Sequence, residues 1–170
     1  FVTHKVDVDI LDKTLDVFRK FEEKWAEVLV WVLNEILNNN LKPKPQDDSK
    51  ATYCSKISKE DWKIDFENQT WFEIYNRYRA YSPWPWVFTY YKNKKLELSE
   101  LLFEENELIF DDDFKLWDVV EFEDHWIKNI SILSKWWLLI LKKVKLEWKK
   151  EMDISSFLNW NKDFLEYNFL

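Results

Sequence analysis

Not one of the 170 residues is glycine, while twelve are tryptophan. A globular chain of this length ordinarily carries glycine at about 7% of its positions, because tight turns and helix C-caps call for positive φ, which a residue with a Cβ reaches only at a steric cost. Every reversal here must therefore be made by a residue that carries a side chain. Several tryptophans stand where a turn or cap is expected. Trp86 follows Pro83-Trp84-Pro85, Trp117 precedes Asp118-Val119-Val120, and Trp126 closes the polar run Glu123-Asp124-His125. Trp148 sits between Glu147 and Lys149, and Trp160 ends Ser155-Ser156-Phe157-Leu158-Asn159 where a C-cap would fall.

Residues 1–8 roughly alternate, with Val2, His4, Val6 and Val8 against Thr3, Lys5 and Asp7, the pattern of a strand. Over residues 14–38 the spacing turns helical, with Val17, Phe18, Phe21, Val28, Leu29, Val32, Leu33, Ile36 and Leu37 near a 3.6-residue repeat, Thr14 as N-cap and Asn38-Asn39-Asn40 as the stop. Residues 41–57 form a linker: Pro43 and Pro45 restrict the backbone and no core periodicity survives. Ser58 with Asp61 then opens a helical turn, and a second helix runs over residues 70–81, with Phe72, Ile74, Tyr75 and Tyr78 as its apolar side and Pro83 ending it. Beyond it the pattern is one of short strands, at residues 87–91, 94–98, 119–122, 127–133 and 138–146, with one small helix over 154–159. The acidic residues 104–113 read as a loop. The fold class is α+β: a strand and helix, a linker, and a small β-barrel with short helices.

From the linker onward the chain resembles the methionyl-tRNA formyltransferases. Pro43, Pro45, Gln46 and Asp47 lead into Ala51-Thr52-Tyr53, then Lys56-Ile57 and Lys59-Glu60-Asp61, then Ile64-Asp65-Phe66, Arg79-Ala80 and Pro83-Trp84-Pro85. Leu146-Glu147-Trp148-Lys149-Lys150-Glu151-Met152 resembles the LEGKKxM segment of the same family. Ser82 departs from the usual Asn, Cys54-Ser55 from Ala-Pro, and Trp62 and Trp86 from Gly. The resemblance implies three regions: residues 1–40 as the end of a Rossmann-like catalytic domain, 41–57 as linker, and 58–170 as an OB-like tRNA-binding domain. Because the first residue is Phe1 and not Met, the chain is expected to lack its own beginning.

The same resemblance suggests an origin for the tryptophans. A gene whose code reads UGA as Gly, translated with a table that reads it as Trp, would place Trp at glycine positions. Trp25, Trp62, Trp86, Trp117, Trp126, Trp137, Trp148 and Trp160 fit this; Trp31, Trp71 and Trp136 stay undecided, and Trp84, which the motif itself requires, is genuine.

The resemblance implies formyl transfer from 10-formyltetrahydrofolate to the amino group of methionyl-initiator tRNA, in the cytoplasm, during translation initiation. Such chemistry needs a proton shuttle and donors for a tetrahedral oxyanion. The family supplies them from an Asn-x-His motif and a later Asp, and nothing here matches them. No catalytic residue is therefore assigned to this chain, folate is expected to bind outside it, and no metal is expected. His4 and His125 read as a strand and a hairpin residue, and Cys54 lacks an activating base. What remains is recognition of tRNA by lysine. Lys42, Lys44, Lys56 and Lys59 line the linker and its exit, and Lys142, Lys143, Lys149 and Lys150 form a second cluster in the barrel.

A net charge of −7 excludes a uniformly basic nucleic-acid coat but leaves room for a local basic face. A single cysteine permits no internal disulfide, and no apolar run reaches the roughly 20 residues of a membrane span. The expected partner is initiator methionyl-tRNA, the expected state a monomer away from the membrane. Two other readings stay open: the C-terminal part of an amino-sugar-nucleotide formyltransferase, and a stand-alone OB-fold RNA-binding module.

Overall fold

The computed structural model describes residues 2–105, 114–124, 126–134 and 137–170. It divides into two compact units, Phe1–Ser58 and Lys59–Leu170.

In the first unit, residues 2–9 are irregular and belong to no ladder, contrary to the strand expected there. Alternation alone does not make a strand; the backbone N–H and C=O groups need a partner edge, and the described residues of this unit offer none. Helix α1, Thr14–Leu37, occupies the expected span. Its cap is Lys13 rather than Thr14, because Asp16 in the first turn reaches back to accept from the Lys13 N–H at 3.1 Å. Asn38 closes it and Asn39 follows at φ 58°, a conformation Asn tolerates better than most residues. The helix buries none of its residues, and its apolar stripe, including Phe18, Phe21, Leu29 and Leu33, stands in the open. The linker holds one short 3-10 turn, Asp48–Lys50, capped by the Asp47 carboxylate.

The second unit begins with a 3-10 turn, Lys59–Trp62, and helix α2, Trp71–Tyr81. Thr70 and Glu73 cap α2 reciprocally: the Glu73 N–H donates to Thr70 Oγ1 at 3.3 Å and the Thr70 N–H donates to Glu73 Oε2 at 2.8 Å. Ile74, Tyr75 and Tyr78 turn into the core as their spacing requires, whereas Phe72 is 42% exposed. Pro83 and Pro85 then turn the chain into the sheet.

Six strands make one antiparallel sheet: β1 (Val87–Tyr91), β2 (Lys94–Glu105), β3 (Val119–Asp124), β4 (Ile127–Leu133), β5 (Trp137–Leu146) and β6 (Met152–Asp153). Their order is β1-β2-β5-β4-β3, with β6 on β5. β2 runs well past the predicted residue 98. Its register on β5 shifts between Leu98 and Leu101, and the buried set steps from Leu96 and Leu98 to Leu101, a bulge that interrupts the two-residue period. Helix α3, Ile154–Trp160, packs Ile154 and Phe157 inward. The main core gathers residues of α2, α3 and the sheet; a smaller one, Val120, Leu133, Leu138 and Ile140, lies apart from it. β4 and β5 contribute to both, which is why Ile130–Leu133 and Leu138–Leu141 read as continuous apolar runs broken only by Ser131.

The absence of glycine shows directly in the backbone. Trp86, Trp117, Trp126 and Trp148 have φ of 72°, 69°, 66° and 63°. So do two residues of the β1–β2 turn, Lys92 at 48° and Asn93 at 62°, as a type I′ hairpin demands. Trp25, Trp62, Trp137 and Trp160 do not: they lie in α1, in a 3-10 turn, at the start of β5 and at the end of α3. The cap after α3 is Asn161, with φ −137°. Backbone geometry thus calls for glycine at four of the eight positions expected. Trp136, His125 and the acidic residues 106–113 lie outside the described residues.

Candidate nucleic-acid interface

The predicted lysines fall into two kinds. Lys42, Lys44 and Lys56 lie in the irregular chain that ends the first unit, and Lys59 opens the second; all four are exposed. Among the described residues none of them forms an ion pair. Lys149 and Lys150, in the turn between β5 and β6, are likewise exposed and unpaired among the described residues.

The lysines on β5 itself are engaged. Neighbours on a strand point to opposite faces. Lys142 donates to Asn129 Oδ1 at 2.7 Å, while Lys143 pairs with Glu100 at 2.9 Å and Lys145 with Glu97 at 3.0 Å. Glu97 also holds Lys95 at 2.9 Å. Burial pushes the Glu97 carboxyl upward, but the hydrogen bonds and charges of Lys95 and Lys145 outweigh it and hold it below the ordinary value. Glu100 in turn raises Lys143. Lys143 and Lys145 are spent on cross-strand pairs that join β5 to β2, and Lys142 on a hydrogen bond from β5 to β4, so Lys142 and Lys143 are less available for phosphate contacts than Lys149 and Lys150.

Sequence reasoning missed Lys94. The β1–β2 turn carries it to the β5–β6 turn, and with α3 these form a cleft of about 430 Å³. Leu146, Met152 and Phe157 give it an apolar lining, and Lys94, Lys149 and Asn161 supply its polar groups. The Asn161 side-chain amide nitrogen donates to Phe157 O at 2.9 Å, while its Oδ1 has no protein partner among the described residues. Beside the cleft, Lys92 of the same turn pairs with Asp163, which raises the lysine and lowers the carboxyl. The Lys-Asn-Lys composition of the turn marked a reversal, but nothing local says what that reversal meets.

Comparison with known proteins places the geometry in context. The family described as formyl transferase, C-terminal domain, matches residues 56–162. A methionyl-tRNA formyltransferase of Campylobacter jejuni is 32% identical over 160 residues, 93% of this chain and 48% of that protein. One of Treponema denticola is 33% identical over 157 residues, 86% of this chain and 45% of its own length. The chain therefore spans about half the length of such relatives. Among solved structures, HypX from Aquifex aeolicus, in complex with tetrahydrofolic acid, superposes with a TM-score of 0.60 at 17% identity, over 95% of this chain and 27% of that one. At that identity the likeness speaks for the fold alone.

Proposed function

The chain belongs to the formyl transferase C-terminal domain family, and from that premise we propose that it is the C-terminal part of a methionyl-tRNA formyltransferase that holds the tRNA substrate. The whole enzyme would move a formyl group from 10-formyltetrahydrofolate to the amino group of methionyl-initiator tRNA in the cytoplasm. In this reading the proton shuttle, the oxyanion donors and the folate site belong to residues upstream, and this chain, inactive alone, acts as a monomer through an OB-like strand face and its linker. The observation that carries it is the division among the lysines. Those at the family's motif positions, Lys56, Lys59, Lys149 and Lys150, are exposed and unpaired among the described residues, whereas Lys143 and Lys145 are tied to carboxylates.

Phosphate contacts by free ammonium groups are salt-dependent, each steepening the log–log dependence of affinity on salt by roughly 0.7–0.9. Changing Lys56, Lys59, Lys149 and Lys150 together to Ala is expected to lower the salt slope of initiator-tRNA binding by about 3, measured by filter binding across a salt series. An unaltered slope would remove the assignment.

The positive φ of Trp86, Trp117, Trp126 and Trp148 supports the companion reading that these codons are UGA, read as glycine in the organism. Sequencing the source DNA at those codons, and peptide mass spectrometry of the native protein, tests it: UGG codons or tryptophan-containing peptides would end that reading.

A further inference from the structure

The cleft between the β1–β2 turn, the β5–β6 turn and α3 has a composition that the family match does not explain. Its interior is apolar, through Leu146, Met152 and Phe157, yet two ammonium groups, Lys94 and Lys149, stand around it. Neither lysine is in an ion pair among the described residues, in a chain whose net charge is −7 and whose neighbouring Lys92, Lys95, Lys143 and Lys145 are all paired with carboxylates. Unpaired cations around an apolar hollow suit an occupant that is anionic at one end and flat and apolar at the other. The Asn161 Oδ1, whose amide nitrogen is held by Phe157 O, adds an acceptor for an exocyclic amine. The volume, about 430 Å³, lies within the range of roughly 300–1,000 Å³ common for small-ligand sites.

We propose that this cleft takes one unpaired nucleotide of an RNA strand, its phosphate between Lys94 and Lys149, its base against Leu146 and Met152, and its amino edge at Asn161. The strand's identity as tRNA rests on the function proposed above; the nucleotide site does not. Trp160, 86% exposed, also borders the cleft, but the site does not require its ring.

The test uses the 170-residue chain and a short single-stranded RNA carrying 2-aminopurine, with adenosine monophosphate and initiator tRNA as parallel probes. Transfer of the base into the apolar cleft is expected to change 2-aminopurine emission on titration. Lys94→Ala and Lys149→Ala should each weaken oligonucleotide binding several-fold and lower its salt slope by about 0.7. Met152→Glu, which sets a carboxylate in the cleft, should abolish the emission change; circular dichroism verifies that each variant is folded. Binding of tRNA with no emission change and no effect of Lys94→Ala overturns the cleft but leaves the tRNA reading intact. An oligonucleotide signal lost on Lys94→Ala, together with failure to bind tRNA, keeps the cleft and removes the tRNA reading. Adenosine monophosphate binding as tightly as the oligonucleotide, with the same response to Lys94→Ala, would make the site one for free nucleotides and overturn the proposal for a strand.

Discussion

Replacing Trp126 and Trp148 by glycine is expected to stabilise the second unit. Both residues hold positive φ, at 66° and 63°, and both are 93% exposed, so their rings contribute almost no packing. A residue with a Cβ in this region costs about 1–2 kcal/mol. Glycine removes that cost but frees the unfolded chain, which returns about 0.5–1 kcal/mol. The net gain is about 0.5–1 kcal/mol per site, or about 1–2 kcal/mol for the pair, since the two turns are expected to act independently. At about 3–4 °C per kcal/mol for a domain of this size, Tm should rise by roughly 3–8 °C, read by circular dichroism at 222 nm. Trp117 supplies the contrast. Its φ is 69°, but it is only 7% exposed and its ring lies 5.1 Å from Phe66. Losing a buried aromatic side chain costs about 3–5 kcal/mol, so the net strain relief is outweighed and Trp117→Gly should lower stability by about 2.5–4 kcal/mol. A fall in Tm for the Trp126/Trp148 double variant would refute the strain argument. A rise for Trp117→Gly would show that the packing of its ring was valued wrongly.

Other substitutions probe the caps, the core and the cross-strand charges. Thr70→Ala removes the acceptor for the Glu73 N–H and should cost about 1 kcal/mol, seen as a lower urea midpoint. Leu141→Ala, at a side chain with 0% exposure in the sheet, should cost about 2–5 kcal/mol, read as a lower Tm by circular dichroism. Because the folded Glu97 carboxyl lies below its ordinary value of 4.5, its contribution is complete above that value and fades as pH falls through the depressed one. Glu97→Gln should cost about 1 kcal/mol at neutral pH and flatten the acid limb of the stability–pH curve, measured by urea titrations at several pH values.

What could be read in the sequence was what neighbours along the chain decide. Helix α2 is bounded by Thr70 and Pro83, both local signals, and appeared where expected. Strands β1 and β4 span the residues expected of them, although burial does not alternate along either. The misses share a different cause. Residues 2–9 have the pattern of a strand but no edge to join. The length of β2 was hidden because the register shift after Leu98 breaks the alternation. Among the candidate lysines, the motif singles out Lys149 and Lys150, but that Lys142 and Lys143 are held by Asn129 and Glu100 depends on which strands are neighbours. The cleft was invisible for the same reason, since Lys94, Lys149 and Asn161 come from three separate turns and caps.

The sheet order also sets when the fold can form. β1–β2 and β3–β4 are hairpins of adjacent segments, but they are united only through β5, which pairs with β4 on one side and on the other with β2, where Leu98 faces Val144. Hairpins close within about 1–10 μs, while pairings far apart in sequence wait for a longer loop to close. Neither hairpin has a core of its own, because Leu139 and Leu141, with Ile132 beside them, come together only once β5 is laid between β2 and β4. On the ribosome, therefore, the domain stays uncommitted through four strands, and even the fifth leaves the core open until Phe157 and Phe164 emerge behind it, so truncation before Leu146 would yield isolated hairpins rather than a smaller version of the same fold.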